Sequence, residues 1–189
     1  LQYTGTLSAT IDRGFTIGSG SIAAIEITNA VSLSFGGAIA GSGGLTKSGL
    51  GTLVLAGSST DSGTTTVTAG TLVFDGLNSV PAGALVNAGS GTTVITRNGA
   101  QIVNFTGAGT LLESPRVTTQ PVSLAVGVGS SAAFTVDAGG TAPFGYQWRK
   151  NGVAVPGATT GILSIAAAQA ADAGSYDAVL TNTAGSVTS

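Results

Sequence analysis

The chain has 189 residues, of which 7% are charged, with six Lys and Arg against eight Asp and Glu for a net charge of −2. That balance leaves no basic footprint for nucleic acid or an anionic membrane. With no His and no Cys, Ser–His and Cys–His catalysis and most zinc chemistry are removed.

Glycine numbers 31, a level that can signal disorder, but 42% of the residues are hydrophobic and they alternate regularly with Thr and Ser. The composition therefore reads as folded β-structure with one face buried. The length allows one or two domains, each with a core. No uninterrupted apolar run approaches the roughly 18 residues that a bilayer-spanning helix needs. The chain starts without Met or a signal peptide and already reads as a strand, so the expectation is an internal fragment of a larger protein.

Residues 1–40 supply apolar positions at Leu7, Ile11, Phe15, Ile17, Ile22, Ile25, Ile27, Val31, Leu33 and Phe35. Asp12-Arg13-Gly14 and Thr28-Asn29-Ala30 read as corners. Asp12 beside Arg13 reads as a solvated turn in preference to an acid–base pair.

The organising stretch is Gly41–Gly76, GSGGLTKSGLGTLVLAGSSTDSGTTTVTAGTLVFDG. Gly51-Thr52-Leu53-Val54-Leu55 returns as Gly70-Thr71-Leu72-Val73-Phe74, then more weakly as Gly91-Thr92-Thr93-Val94-Ile95 and Gly109-Thr110-Leu111-Leu112. The glycine spacings are 19, 21 and 18 residues. Going backwards, Leu53/Leu55 aligns with Leu33/Phe35, and that pair with Phe15/Ile17. Six copies near a period of 20 predict a solenoid. A strand rises about 3.3 Å per residue, so three short strands and their corners use up roughly 20 residues, and the chain returns about 4.8 Å higher. Leu33, Leu53 and Leu72 are then expected in one inward file. Residues 77–113 add Val80, Leu85, Val86, Val94, Ile95, Ile102, Val103 and Phe105, and Glu113 falls where earlier copies place a core residue.

Three ligand-like patterns in this half do not carry through. Thr64, Thr66 and Thr68 share a strand face, as in an ice-binding Thr-x-Thr file, but the matching places near residues 45 and 85 break the file. Gly41–Leu45 lacks the Asp of a calcium-binding GGxGxD repeat. GSGGLTKSG does not meet the phosphate-loop pattern, and no helix follows it.

The Gly41–Gly76 run closely resembles the autotransporter-associated β-strand repeat of bacterial autotransporter passengers and related giant surface proteins. The resemblance is specific there and loose over the rest of 1–113. It implies a right-handed parallel β-helix on an exported adhesin-like stalk, at the cell exterior or outer-membrane surface, with the export signal outside this stretch. Its implied partners are flanking repeats of the same chain and host-cell, neighbouring-cell or extracellular glycan surfaces, without membrane insertion. The family brings no catalytic, metal or cofactor-binding residues, and none are assigned.

Glu113-Ser114-Pro115-Arg116 and Pro121 mark a boundary, since proline cannot donate to a ladder. The expected domains are 1–113 and 114–189. Beyond the boundary come Phe134-Thr135-Val136, Tyr146-Gln147-Trp148-Arg149-Lys150-Asn151-Gly152 with its Asn-Gly hairpin signal, Leu163-Ser164-Ile165, and Asp172-Ala173-Gly174-Ser175-Tyr176-Asp177-Ala178. This pattern resembles an I-set-type immunoglobulin-like domain, which implies a β-sandwich with Tyr176 at a tyrosine corner. Val136 and Ala178 stand at the two cysteine positions of such domains, so packing around Trp148 replaces the disulfide. Only Ser186–Ser189 remain for a last strand after Tyr176–Thr181, so that strand is expected to be cut short. Trp148 reads as core in preference to a sugar platform, and Asp172 as a turn residue accepting backbone N–H bonds in preference to a metal ligand.

The fold expectation is all-β, a right-handed parallel β-helix followed by an immunoglobulin-like β-sandwich. The function expectation is a non-catalytic structural or adhesive segment of a large exported bacterial surface protein. The alternative is a carbohydrate-binding or polysaccharide-degrading β-helix, since fold alone does not separate the two. An acidic-sugar enzyme wants charges converging on one face, whereas Asp12, Glu26, Asp61, Asp75, Glu113, Arg13, Lys47 and Arg97 are scattered along the chain.

Overall fold

A computed structural model describes residues 1–189 and divides them into two compact units, Leu1–Glu113 and Ser114–Ser189. The first unit is built from β1 (Gln2–Tyr3), β2 (Ala9–Ile11), β3 (Phe15–Ile17), β4 (Ile22–Ile27), β5 (Ser32–Phe35), β6 (Ile39–Gly41) and β7 (Gly44–Ser48). It continues through β8 (Thr52–Leu55), β9 (Thr65–Val67), β10 (Thr71–Asp75), β11 (Leu85–Ala88), β12 (Thr93–Arg97), β13 (Asn104–Gly107) and β14 (Thr110–Glu113). One six-stranded sheet has the order β1-β4-β7-β9-β11-β13 and another the order β14-β12-β10-β8-β5-β2. Every pairing within them is parallel, as a β-solenoid requires.

Alternation decides what is buried. Leu33, Leu53 and Leu72 pair in register and continue into Val94 and Leu111. The three leucines are completely enclosed, so the expected inward file is present. Beside it runs Ile11–Phe35–Leu55–Phe74–Thr96–Glu113, apolar until its last two members. Facing these, the other sheet points Ala23, Leu45, Thr65, Val86 and Phe105 inward, each in register with the next.

Glycine at the corners lets coils approach at backbone distance. A Cβ on Gly63 would lie 2.0 Å from the carbonyl oxygen of Gly43 in the preceding coil. Gly49 turns with φ at +74°, a left-handed conformation open to glycine at no steric cost.

Three expectations are corrected. Phe15 and Ile17 do not join the Leu33/Phe35 file; Ala9 and Ile11 pair with Leu33 and Phe35. Phe15 and Ile17 instead pair with Ile39 and Gly41 in a third, two-stranded sheet, because the first coil is longer and spends residues on an extra face. That face carries on only as a single bridge from Ile39 to Ser59, so not every coil has three strands. Last, Leu7, Ile22, Leu85 and Val103 are exposed. Ile22 has the outward parity of β4, whose Ala23, Ile25 and Ile27 point in, and Leu85 lies outward beside Val86. Leu7 and Val103 lie between strands, where no pleat directs them inward.

The second unit has β15 (Arg116–Thr119), β16 (Ala132–Thr135), β17 (Asp137–Gly139), β18 (Gly145–Lys150), β19 (Val153–Ala154), β20 (Ile162–Ile165), a 3₁₀ turn at Ala170–Asp172, β21 (Tyr176–Asn182) and β22 (Gly185–Thr188). An antiparallel sheet β19-β18-β21-β22 faces the pairs β16-β20 and β15-β17. Asn151 and Gly152 both have positive φ and close the β18–β19 hairpin, the geometry that favours Asn-Gly. Val136, Trp148, Ala178 and Leu180 form the core with Leu163. Trp148 donates its indole N–H to the Thr160 carbonyl at 2.9 Å, so its burial leaves no polar atom unpaired. Phe134 stacks on Tyr176 with ring centroids 4.9 Å apart. The Tyr176 hydroxyl donates to the Asp172 carbonyl at 2.7 Å. The cysteine-less core and the tyrosine corner are therefore as expected.

Candidate functional site

The functionally suggestive residues do not converge. Asp12 and Arg13 occupy an exposed corner between β2 and β3. Trp148 is wholly buried, so no sugar ring can reach it. The Asp172 carboxylate accepts the Gln169 backbone N–H at 2.9 Å and closes the 3₁₀ turn, as its turn reading anticipated. Glu26 accepts from Gln2, and Asp75 from Asn98, both across neighbouring coils. No three His, Cys, Asp or Glu side chains gather where they could hold a metal.

The hydroxyl files have a different layout from the one sought in the sequence. Thr66 pairs with Thr46 on one side and Asn87 on the other, so a threonine pair, not a file, faces outward from that sheet. The longer file lies on the second sheet, where Ser32, Thr52, Thr71, Thr93 and Thr110 are in register through five strands. Its signal was partial: Thr52, Thr71 and Thr110 each follow a glycine, whereas Thr93 follows Thr92 and Ser32 follows Val31. A shallow groove of about 450 Å³ lies over the stacked corners Gly43 and Gly63, edged by the hydroxyls of Ser42, Ser62, Thr64 and Thr66. It carries no charged group and no aromatic ring.

The residue that sequence reasoning missed is Lys47. It sits in the inward file Ile25–Lys47–Val67–Ala88 and is completely buried. Its ammonium donates to the carbonyls of Ser48 at 2.8 Å, Gly49 at 2.8 Å and Ala69 at 3.1 Å. Three donors meet three acceptors, two on one corner and one on the corner of the next coil. Burial lowers its pKa from 10.5 to about 8. The signal was present: Lys47 has the same parity as inward Leu45. Asp61 is also buried; burial pushes its carboxyl upward, and its own backbone N–H opposes that shift.

Comparison with known proteins matches residues 45–74 to the passenger-associated-transport-repeat and residues 114–182 to the immunoglobulin domain. An adhesin autotransporter, BmaC, of Brucella suis biovar 1 (strain 1330) is 51% identical over 73 residues. That match covers 38% of this chain and 2% of the relative, so the chain spans a small part of that protein's length. Among solved structures, the I-band fragment I67–I69 of titin is 19% identical, with 44% of this chain and 33% of that one covered at a TM-score of 0.40. Extracellular domains 3–5 of Drosophila OTK are 23% identical, with 46% and 33% covered at a TM-score of 0.37. The chain thus carries an autotransporter passenger repeat within a β-solenoid, followed by an immunoglobulin domain.

Proposed function

We propose that this chain is a non-catalytic adhesive and spacing segment of a large exported bacterial surface protein. The observation that carries the reading is the passenger repeat at 45–74, which the structure places in consecutive coils of the solenoid. The half-identical stretch of an autotransporter adhesin supports it. Each coil adds about 4.8 Å of length, and only 7% of the residues are charged, which suits a stalk. The immunoglobulin-like unit is the module such a stalk would present, and surfaces of other cells or extracellular glycans are the proposed targets.

The test uses beads coated with the whole chain or with residues 1–113 of it, incubated with cultured cells and with immobilised polyuronates and neutral glycans. Saturable attachment without release of any sugar product supports the reading. Cleavage of any of these polymers would replace it with the polysaccharide-degrading one.

A further inference from the structure

Two Asn-Gly pairs close tight turns, one in each unit, and their backbones match. Asn98 and Asn151 both have φ at +50°, followed by Gly99 at +88° and Gly152 at +80°. The Ala100 N–H donates to the Arg97 carbonyl at 3.0 Å across the first turn, and Lys150 pairs with Val153 across the second. The local sequences match as well, Arg97-Asn98-Gly99-Ala100 against Lys150-Asn151-Gly152-Val153. Both asparagines and both glycines are exposed. Asn is a thermolabile residue, and a following glycine has no Cβ to keep its nitrogen from the Asn carboxamide.

What surrounds the two turns differs. The Asn98 amide nitrogen donates to the Asp75 carboxylate, so an anion sits against that carboxamide. Leu77 also covers the glycine there, because a Cβ on Gly99 would lie 2.5 Å from its Cδ2. Asn151 instead accepts the Ser175 N–H on its Oδ1 at 2.9 Å. A Cβ on Gly174 would lie 2.9 Å from Lys150 Cε and 3.0 Å from Asn151 Oδ1, so those two side chains meet there. The carboxylates at this end are committed, Asp177 to Arg149 and Asp172 to the Gln169 N–H. A Cβ on Gly152 would meet nothing within 4 Å.

We infer that Asn151 is a self-modification site, which deamidates through a succinimide with water as the co-reactant, while Asn98 is shielded. The Gly152 nitrogen gives its proton to solvent and attacks Cγ of Asn151, and the carbonyl electron pair moves onto Oδ1. The Ser175 N–H already points at that oxygen, where a preorganised donor favours the developing charge. The pair returns as the Cγ–Nδ2 bond breaks, and the nitrogen takes up a proton and leaves as ammonia. Water then opens the ring to aspartate or isoaspartate. At Asn98 the same oxyanion would form beside the Asp75 carboxylate, which disfavours it. Isoaspartate routes the backbone through Cβ and adds an atom to a two-residue turn. The β18–β19 hairpin and the two bonds from Asn151 to Ser175 then no longer fit together, so the second unit carries a slow chemical clock beside its tyrosine corner.

The experiment incubates the whole chain in near-neutral buffer, folded and in urea, and follows both sites by peptide mapping with isoaspartate methylation as the label. In the folded chain, product at 151 is expected to accumulate roughly tenfold faster than at 98, the worth of one hydrogen bond to a charged group. In urea the two rates should converge, because the local sequences match. Asp75→Ala is expected to speed Asn98 in the folded chain and to leave Asn151 unchanged. Equal rates in the folded chain, a preference for 151 that persists in urea, or an Asn98 rate indifferent to Asp75→Ala would overturn the inference. So would a folded chain in which position 151 stays unmodified while the unfolded chain reacts, because the turn would then protect what its surroundings are argued to activate.

Discussion

The two units bury comparable side chains by different means. In the solenoid, Leu53 touches its file partners Leu33 and Leu72 in the coils on either side, and each coil is held by its neighbours. In the sandwich, Val136 from the break between β16 and β17 and Ala178 and Leu180 from β21 close on one side chain, Trp148. A stack of repeats has a stability close to the sum of nearest-neighbour terms, whereas a single closed core stands or falls together. The same loss of volume is therefore felt locally in one unit and globally in the other.

The sharpest way to break this comparison is Trp148→Ala. Truncating a buried Trp costs about 3–5 kcal/mol and here also leaves the Thr160 carbonyl without the indole donor. The expected outcome is an unfolded second unit beside an intact solenoid. Amide exchange would show fast exchange throughout 114–189 and unchanged protection in β8 and β10. Protection lost in both units would mean that their cores are not separable.

Leu53→Ala is the counterpart in the solenoid, expected to cost about 2–5 kcal/mol. Exchange should accelerate most in β5, β8 and β10, the strands in contact with the cavity, and less with each coil further away. Uniform acceleration from β4 to β14 would show that the stack behaves as one closed core. Since the only Trp lies in the sandwich, its fluorescence should not change in this variant.

How much of this was legible in the sequence varies along the chain. The repeat at 51–55 and 70–74 displays its register because glycine bounds each copy and the alternation between is regular. The first coil does not, because its additional face shifts Phe15 and Ile17 out of phase with Leu33 and Phe35. Ile22 and Leu85 look like core by letter, yet stand outward by parity, which only the pairing partners fix. In the sandwich, Trp148, Tyr176, Val136 and Ala178 were legible because each has a fixed place around one core. Lys47 was hidden by its type: a lysine is almost never fully buried unless paired, and its partners are backbone carbonyls that no sequence letter displays.

Lys47→Met tests whether neighbouring coils are joined by more than apolar stacking. The methionine fills the space but leaves three carbonyls without their donor, an expected loss of about 1–3 kcal/mol confined to the coils of β7 and β9. The folded pKa of about 8 lies below the ordinary 10.5. Between those two values the unfolded chain holds a proton that the folded chain has released, so stability rises with pH through that window and is flat below it. The urea midpoint of the solenoid, followed by far-ultraviolet circular dichroism, should climb from pH 8 to pH 10 in the natural chain, and Lys47→Met should lack the climb. A midpoint that stays flat from pH 8 to pH 10 and falls only above the ordinary 10.5 would mean that the three carbonyls outweigh burial and hold the ammonium charged.

The smallest expected effect is at the tyrosine corner. Tyr176→Phe keeps the ring that stacks on Phe134 at 4.9 Å and removes only the hydroxyl bond to Asp172. A hydrogen bond of this kind contributes about 0.5–1.5 kcal/mol net, and the Asp172 carbonyl it abandons lies in a turn that water can reach. The loss should therefore fall near the lower end and be confined to the sandwich, read as a small drop in the denaturant midpoint of Trp148 fluorescence. The 3₁₀ turn at Ala170–Asp172 has its own closure through Gln169 and the Asp172 carboxylate, so it should persist. If the drop instead matched that of Trp148→Ala, the hydroxyl would be holding the turn in place, and the core around Trp148 would depend on the corner as much as on its own packing.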